Sequence, residues 1–210
     1  MVTKRDEGMD SFTAAEGEVK CVVVGDGGVG KTSMVLSYST GKILTEYQPT
    51  CFDSYTVPVP KDESDVSVMV MDTAGQDTYD RLRTLAYFDT DIFLVCFAVD
   101  DKDSLDNVRT KWVPEIREYR PNTPFILVGT QTDLRGSIVD ITDSCVSTQQ
   151  GRKMAKRLGA IKYMECSSLD GVGLEEIFRM AIRVTTDPVL KKNRKWNSFK
   201  RLFRRKSTIV

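Results

Sequence analysis

At 210 residues, 40% of them hydrophobic and 29% charged, the chain is long enough for one well-cored domain with short flanking tails. Histidine is absent, which excludes His-based catalytic triads and His metal ligands, and the five cysteines are odd in number and scattered without redox or metal spacing, so a reduced, intracellular protein is expected. The formal charge of zero hides an uneven distribution: residues 191–210 carry nine basic and no acidic side chains, which leaves residues 1–190 at −9.

Residues 1–17 show no apolar period and read as a disordered lead. The apolar run Val19 to Val24 then reads as a buried strand that ends in Gly25-Asp26-Gly27-Gly28-Val29-Gly30-Lys31-Thr32 and is followed by a helical pattern near 31–39. A strand, a glycine-rich turn and a helix in that order form a Walker A loop, which aims backbone N–H groups and the positive end of a helix dipole at an anion. Gly25 and Gly30 supply side-chain-free backbone, Lys31 reaches the β- and γ-phosphates, and the Thr32 hydroxyl takes the bridging magnesium ion. Tyr55 to Pro60 contains two prolines that cannot donate to a ladder, so this segment is expected at a sheet edge, antiparallel to the next strand.

The strand Val66 to Met71 runs into Asp72-Thr73-Ala74-Gly75-Gln76. There Asp72 can hold magnesium through a water, the Gly75 N–H can touch the γ-phosphate, and Gln76 can orient an attacking water. After a strand near 92–98 and a helix near 103–119, the apolar run Phe125 to Gly129 leads into Thr130-Gln131-Thr132-Asp133. A carboxylate at 133 accepts from both the ring N–H and the exocyclic amine of guanine, whereas adenine presents the opposite edge, so Asp133 selects GTP. A helix near 148–158 and a strand near 161–164 precede Glu165-Cys166-Ser167-Ser168-Leu169, which can offer a backbone N–H to the guanine oxygen; a last helix follows near 173–185.

Tyr47-Gln-Pro-Thr-Cys-Phe-Asp-Ser-Tyr55, Asp72-Thr-Ala-Gly-Gln-Asp-Thr-Tyr-Asp-Arg-Leu-Arg83, Phe93-Leu-Val-Cys-Phe97, Trp112-Val-Pro-Glu-Ile116 and Gly129-Thr-Gln-Thr-Asp-Leu-Arg135 are long, specific motifs. On them the chain from about Val19 to Pro188 resembles a small GTPase of the Ras superfamily, and within it the Rho family of Rac and cell-division-control type. The resemblance implies an α/β P-loop NTPase fold, a doubly wound, mainly parallel six-stranded sheet with one antiparallel edge strand, in a G domain over 18–188. It implies a two-state switch that binds and slowly hydrolyses GTP, in which Thr50 joins Thr32 and Asp72 around magnesium in the GTP form only. The nucleotide contacts it implies extend to Ser33, Ile43, Tyr47, Gln131 and Leu134. Catalysis would rest on Gln76, Lys31, Thr50 and the small Gly27, which leaves room for an activating protein's arginine finger. Effectors would read Cys51, Phe52, Asp53 and Tyr55, while Tyr79, Arg81, Leu82 and Leu85 would serve exchange factors and regulators, with Leu82 and Leu85 expected at the surface. The protein is expected to be a monomer that signals in cytoskeletal, polarity or membrane-traffic control, without a nucleic-acid partner.

Four features depart from that family's pattern. Ile43 stands where the family places Phe edge-on to the guanine, which predicts fast GDP release. The region from Arg135 to Gly151 is short and poor in Lys and Glu, so a full insert helix is not expected. Cys166 is the last cysteine, so prenylation of this terminus is excluded, and Met1-Val2 lacks the glycine needed for myristoylation. In place of a lipid, residues 189–210 read as a basic amphipathic tail, with Trp196, Phe199, Leu202 and Phe203 on one side and Arg194, Arg201, Arg204 and Arg205 opposite or flanking. Such a segment suits an anionic membrane surface and implies peripheral attachment of a cytoplasmic protein, although charge runs are also found simply solvated or as nuclear-localisation signals. Ser207-Thr-Ile-Val210 has the pattern of a PDZ-domain ligand, and Ser207 and Thr208 follow basic residues as phosphorylation sites do.

Overall fold

A computed structural model describes residues 3–4, 18–43, 52–61, 64–136 and 145–187. In chain order the elements are β1 (Thr3–Lys4), β2 (Val19–Gly25), α1 (Lys31–Thr40), β3 (Phe52–Lys61), β4 (Ser64–Thr73), α2 (Asp80–Ala86), β5 (Ile92–Ala98), α3 (Lys102–Asn107), α4 (Val113–Tyr119), β6 (Phe125–Thr130), α5 (Thr148–Leu158), β7 (Tyr163–Glu165) and α6 (Leu174–Thr186). A π-helical turn, Val108–Trp112, joins α3 to α4.

The strands form one sheet in the order β1-β3-β4-β2-β5-β6-β7. From β4 through β7 all neighbours are parallel, and β3 runs antiparallel to β4. The six expected strands are therefore present, mostly parallel and with the proline-bearing strand antiparallel. That strand is not quite the rim: Thr3 and Lys4, in the lead expected to lack structure, pair antiparallel with Thr56 and Tyr55 on its outer side. The rest of the lead, the 137–144 segment of the shortened insert and the tail from 188 onward lie outside the described residues.

Parallel strands feed both faces of a sheet, so their runs are apolar at every position, and alternate residues go to opposite layers. Cys21 and Val23 of β2 pack with Met34 and Val35 of α1 and with Ile177, Phe178 and Ala181 of α6. Val22 and Val24 point the other way, to a core with Trp112, Val108, Ile116 and Ala155. The start of α5 follows from a capping box, in which Ser147 and Gln150 satisfy each other's backbone N–H groups. Among the described residues no helix is long and apolar enough to cross a membrane. Because the crossovers are helical and the strands parallel, every loop that leaves the C-terminal end of β2, β4, β5, β6 and β7 opens on the same side, where open α/β sheets bind ligands.

Candidate guanine-nucleotide site

The loop after β2 is held from below by its own lysine. Gly30 sits at φ 80°, a left-handed conformation that glycine adopts freely, and from it α1 begins at Lys31. Lys31 is buried, and its Nζ donates to the carbonyls of Gly25 (2.9 Å) and Asp26 (2.7 Å), so the loop closes around the ammonium group. Burial lowers the lysine's pKa, opposed by the nearby Asp72 carboxylate.

Asp72, at the end of β4, is fully buried and accepts a 2.6 Å hydrogen bond from the Thr32 hydroxyl at one oxygen. Its other oxygen, Oδ1, is buried without a hydrogen-bond partner. Burial pushes this carboxyl up to about 6, against the opposing influence of Thr32 and Lys31. A buried, half-satisfied carboxylate next to a hydroxyl is a pair of oxygen donors short of a cation, and hard oxygen ligands of this kind suit magnesium. The residues present therefore fit the ion that the sequence implied.

The loop after Asp72 lies directly on the phosphate loop. A Cβ built on Gly75 would come within 2.3 Å of the backbone of Asp26 and Gly27, so only glycine permits this approach. Gln76 follows at the surface, beside the mouth of the loop. Its carbonyl and that of Ala74 accept from Arg83, which was not singled out in the sequence. This guanidinium is fully buried, donates twice to Glu115 of α4 and once to Asp80, and lies 4.6 Å over the Trp112 ring. Burial works against its charge, but the Glu115 contacts outweigh that and raise its pKa.

At the other end of the site, Thr130 ties three segments together, its hydroxyl within hydrogen-bond reach of the Val29 (2.5 Å) and Phe97 (2.9 Å) carbonyls. Gln131 takes a left-handed φ of 59°, and its Nε2 donates to the Gly28 carbonyl at 3.2 Å. Asp133, in the short turn Thr132–Gly136, receives the Ser167 hydroxyl at 2.6 Å. The two loops assigned to the base are thus one unit. The Ser167 N–H is engaged by the Val172 carbonyl, which turns attention within that loop to the Ser168 amide.

Sequence reasoning also missed the clamp under this unit. Arg135 and Glu165 pair through two bonds of 2.8 and 3.1 Å, with Tyr163 and Thr148 donating to the same carboxylate. Burial alone would raise the Glu165 pKa, but the Arg135 and Tyr163 hydrogen bonds hold it below the ordinary 4.5. A carboxyl depressed in the folded state stabilises the fold above its unfolded value and loses that contribution as pH falls through the folded one. Glu165→Gln should therefore be less stable than the parent in urea titrations at pH 7, and the gap should close below about pH 4.

Gly25 through Ser33, Asp72, Gly75, Gln76, Thr130, Gln131, Asp133, Leu134, Ser167 and Ser168 are thus gathered at one sheet end by four loops, those after β2, β4, β6 and β7. Ile43 is described and half exposed (49%), whereas Tyr47, Thr50 and Cys51 lie outside the described residues. Of the expected effector residues, Phe52 and Asp53 are half-buried at the start of β3. The Tyr55 ring belongs to the core at 6% exposure, because its position on β3 faces α6 and the inner layer; its hydroxyl reaches Asp53 at 3.3 Å. Leu85 is exposed as expected and Leu82 half-buried.

The sequence also matches the model of the Ras family, over residues 20–187. The chain belongs to the Ras family. The match spans β2 through α6, so it includes every loop of the site just described. Ras-family membership establishes the general class, a GTP-binding small GTPase that works as a switch and generally uses magnesium.

Proposed function

We propose that this chain is a Rho-type switch of the Rac and cell-division-control kind, cycling between GTP and GDP and held at membranes by its own tail. The observation that carries the catalytic half is the Asp72 carboxylate, buried with one oxygen unpartnered beside the Thr32 hydroxyl at the foot of the phosphate loop. Thr32 and Asp72, joined by Thr50, would hold magnesium, which when bound offsets the negative charge of the triphosphate. Lys31 and the loop amides bind the phosphates, Gly75 lies close enough to sense the last of them, and Gln76 orients water for the in-line displacement. Asp133 would read the base with Ser167 fixing its carboxylate, and the Ser168 amide would serve the guanine oxygen. An activating protein would supply the arginine finger, entering over Gly27.

Motif length from Tyr47 to Arg135 supports the Rho subtype and with it effectors, exchange factors and activating proteins of that class. The basic, aromatic tail supports peripheral attachment of a cytoplasmic protein to anionic plasma membrane or endomembranes, with Ser207-Thr-Ile-Val210 open to a PDZ domain. Purified full-length protein loaded with GDP or with a non-hydrolysable GTP analogue should capture different binders from cell extract, and GTP-loaded protein should release phosphate faster with a Rho-class activating protein. Identical capture in both states with no phosphate release would favour the rival reading, a nucleotide-bound adaptor. Liposome sedimentation that ignores both the tail and acidic lipid would remove the membrane half.

Half-exposed Ile43 cannot offer the ring-edge contact that an aromatic side chain gives a base, worth about 0.5–1.5 kcal/mol. Ile43→Phe should slow release of fluorescent GDP by up to about tenfold. Unchanged release would disconnect position 43 from the cycling rate.

A further inference from the structure

The Asp26 side chain, second in the phosphate loop, turns away from the phosphates and is gripped by the helix on the far side of β2. Trp112 Nε1 donates to its Oδ1 and Asn107 Nδ2 to its Oδ2, each at 2.6 Å. Both oxygens are thus engaged by donors from one helical segment, and the Asp26 main-chain carbonyl is engaged by Lys31. Residues five apart on an α-helix point about 140° away from each other and cannot meet at one carboxylate. The π turn removes that obstacle: the Val113 N–H bonds to the Val108 carbonyl, an i to i+5 bond, and the widened turn brings positions 107 and 112 to the same side. The geometry therefore gives this turn a reason to exist.

We propose that Asn107 and Trp112 are positioning residues that preorganise the phosphate loop through Asp26, and that this brace sets how long the nucleotide stays bound. The inference rests on the nucleotide-site reading above and deepens it. A loop in which Gly25, Gly27, Gly28 and Gly30 surround Asp26 and Val29 has wide backbone freedom, and a cradle of amides binds an anion well only when that freedom is already spent. The brace spends it at Asp26. It also directs a carboxylate, which would repel phosphate, into two N–H donors and away from the ligand. Trp112 is suited to the task because it is fully buried and its ring is fixed between cations, with the Arg83 guanidinium carbon 4.6 Å and the Lys111 ammonium 4.5 Å from its centroid. Arg83 in turn holds the Ala74 and Gln76 carbonyls, so one indole stands under both the phosphate loop and the segment that carries Gln76.

The test is release of fluorescent GDP from full-length protein in magnesium. Trp112→Phe keeps a ring beneath Arg83 and deletes the Nε1 donor together with part of the ring volume, and Asn107→Ala deletes the other donor at a half-buried position without touching the core ring. Each should speed release about tenfold, the cost of one hydrogen bond to a charged group. In an Asp26→Ala background both substitutions should lose their effect, because the group they act through is gone; a role in general stability would add to the Asp26→Ala effect instead. Release at the parental rate from either folded variant, or additive effects in the double variants, would overturn the proposal. If Trp112→Phe does not fold, Asn107→Ala with and without Asp26→Ala decides alone. Failure of the parent protein to retain labelled guanine nucleotide would instead sink the nucleotide reading itself, a distinct outcome.

Discussion

Replacing Asp133 by asparagine should exchange guanine for xanthine. A carboxylate offers only acceptors, which matches the two N–H groups that guanine presents along one edge, its ring N–H and its exocyclic amine. Asparagine offers one acceptor and one donor, which faces the guanine amine with a like group but matches xanthine, where a carbonyl stands in the amine's place. The exchange is sharp because the residue cannot swing aside: the Ser167 hydroxyl holds its Oδ1 at 2.6 Å, and the turn that carries it is tied to the Cys166 carbonyl through the Thr132 N–H. Loss of one hydrogen bond to a charged group, about 1.5–3 kcal/mol, with the other reduced to a neutral bond, should lower affinity for GDP and GTP by about tenfold to a hundredfold. Competition of unlabelled guanine and xanthine nucleotides against a labelled one measures this directly. Asp133→Asn that keeps guanine within a few-fold of the parent would show that the base is read elsewhere.

Glu115→Ala should be the most damaging substitution for the fold among those considered. It strips the Arg83 guanidinium, which has no exposure of its side chain, of two charge-assisted bonds, and leaves the Tyr87 hydroxyl without its carboxylate. Removing one member of a buried pair costs about 3–5 kcal/mol, because the charge that remains must stay desolvated or drag water in. For a domain of this size that corresponds to a drop of roughly 6–20 °C in melting temperature. The double substitution Arg83→Met with Glu115→Leu should recover much of the loss, since an apolar pair has no charge to strand. It should not recover hydrolysis, because the carbonyls of Ala74 and Gln76 would lose the donor that fixes the Gln76 segment. Thermal unfolding and single-turnover hydrolysis on the same three proteins separate the two consequences. Equal melting temperatures for Glu115→Ala and the parent would show that water, not Glu115, satisfies Arg83.

What the sequence made legible depended on how local the cause was. The bounds of β2 and of β5 are set by neighbours in the chain, an apolar run ending at Gly25 and one ending at Ala98, and were readable, as was a helix near 148–158, although the Ser147–Gln150 cap that starts it was seen only in the structure. The phosphate loop is local in the same sense, since glycine placement and the following helix lie within a dozen residues. Arg83 was not legible, because in Asp80-Arg-Leu-Arg83 a second arginine looks solvated, and its burial depends on a glutamate 32 positions later. The π turn left no local mark either: its donors serve an aspartate 81 and 86 positions earlier. The burial of Tyr55 was not legible for a related reason: it follows from the two-residue alternation of β3, which assigns that ring to the inner face.

The margin of the sheet carries a last implication. Among the described residues β1 covers β3 at Tyr55 and Thr56, and beyond it Pro58 and Pro60 recur at every second position, in step with Thr56, so the donors that would extend that ladder toward the hairpin are missing. The border is blunted on one half and capped by the chain's own beginning on the other. Lateral stacking of one molecule on another, the hazard that open sheets carry, is thereby checked by the strand's own prolines.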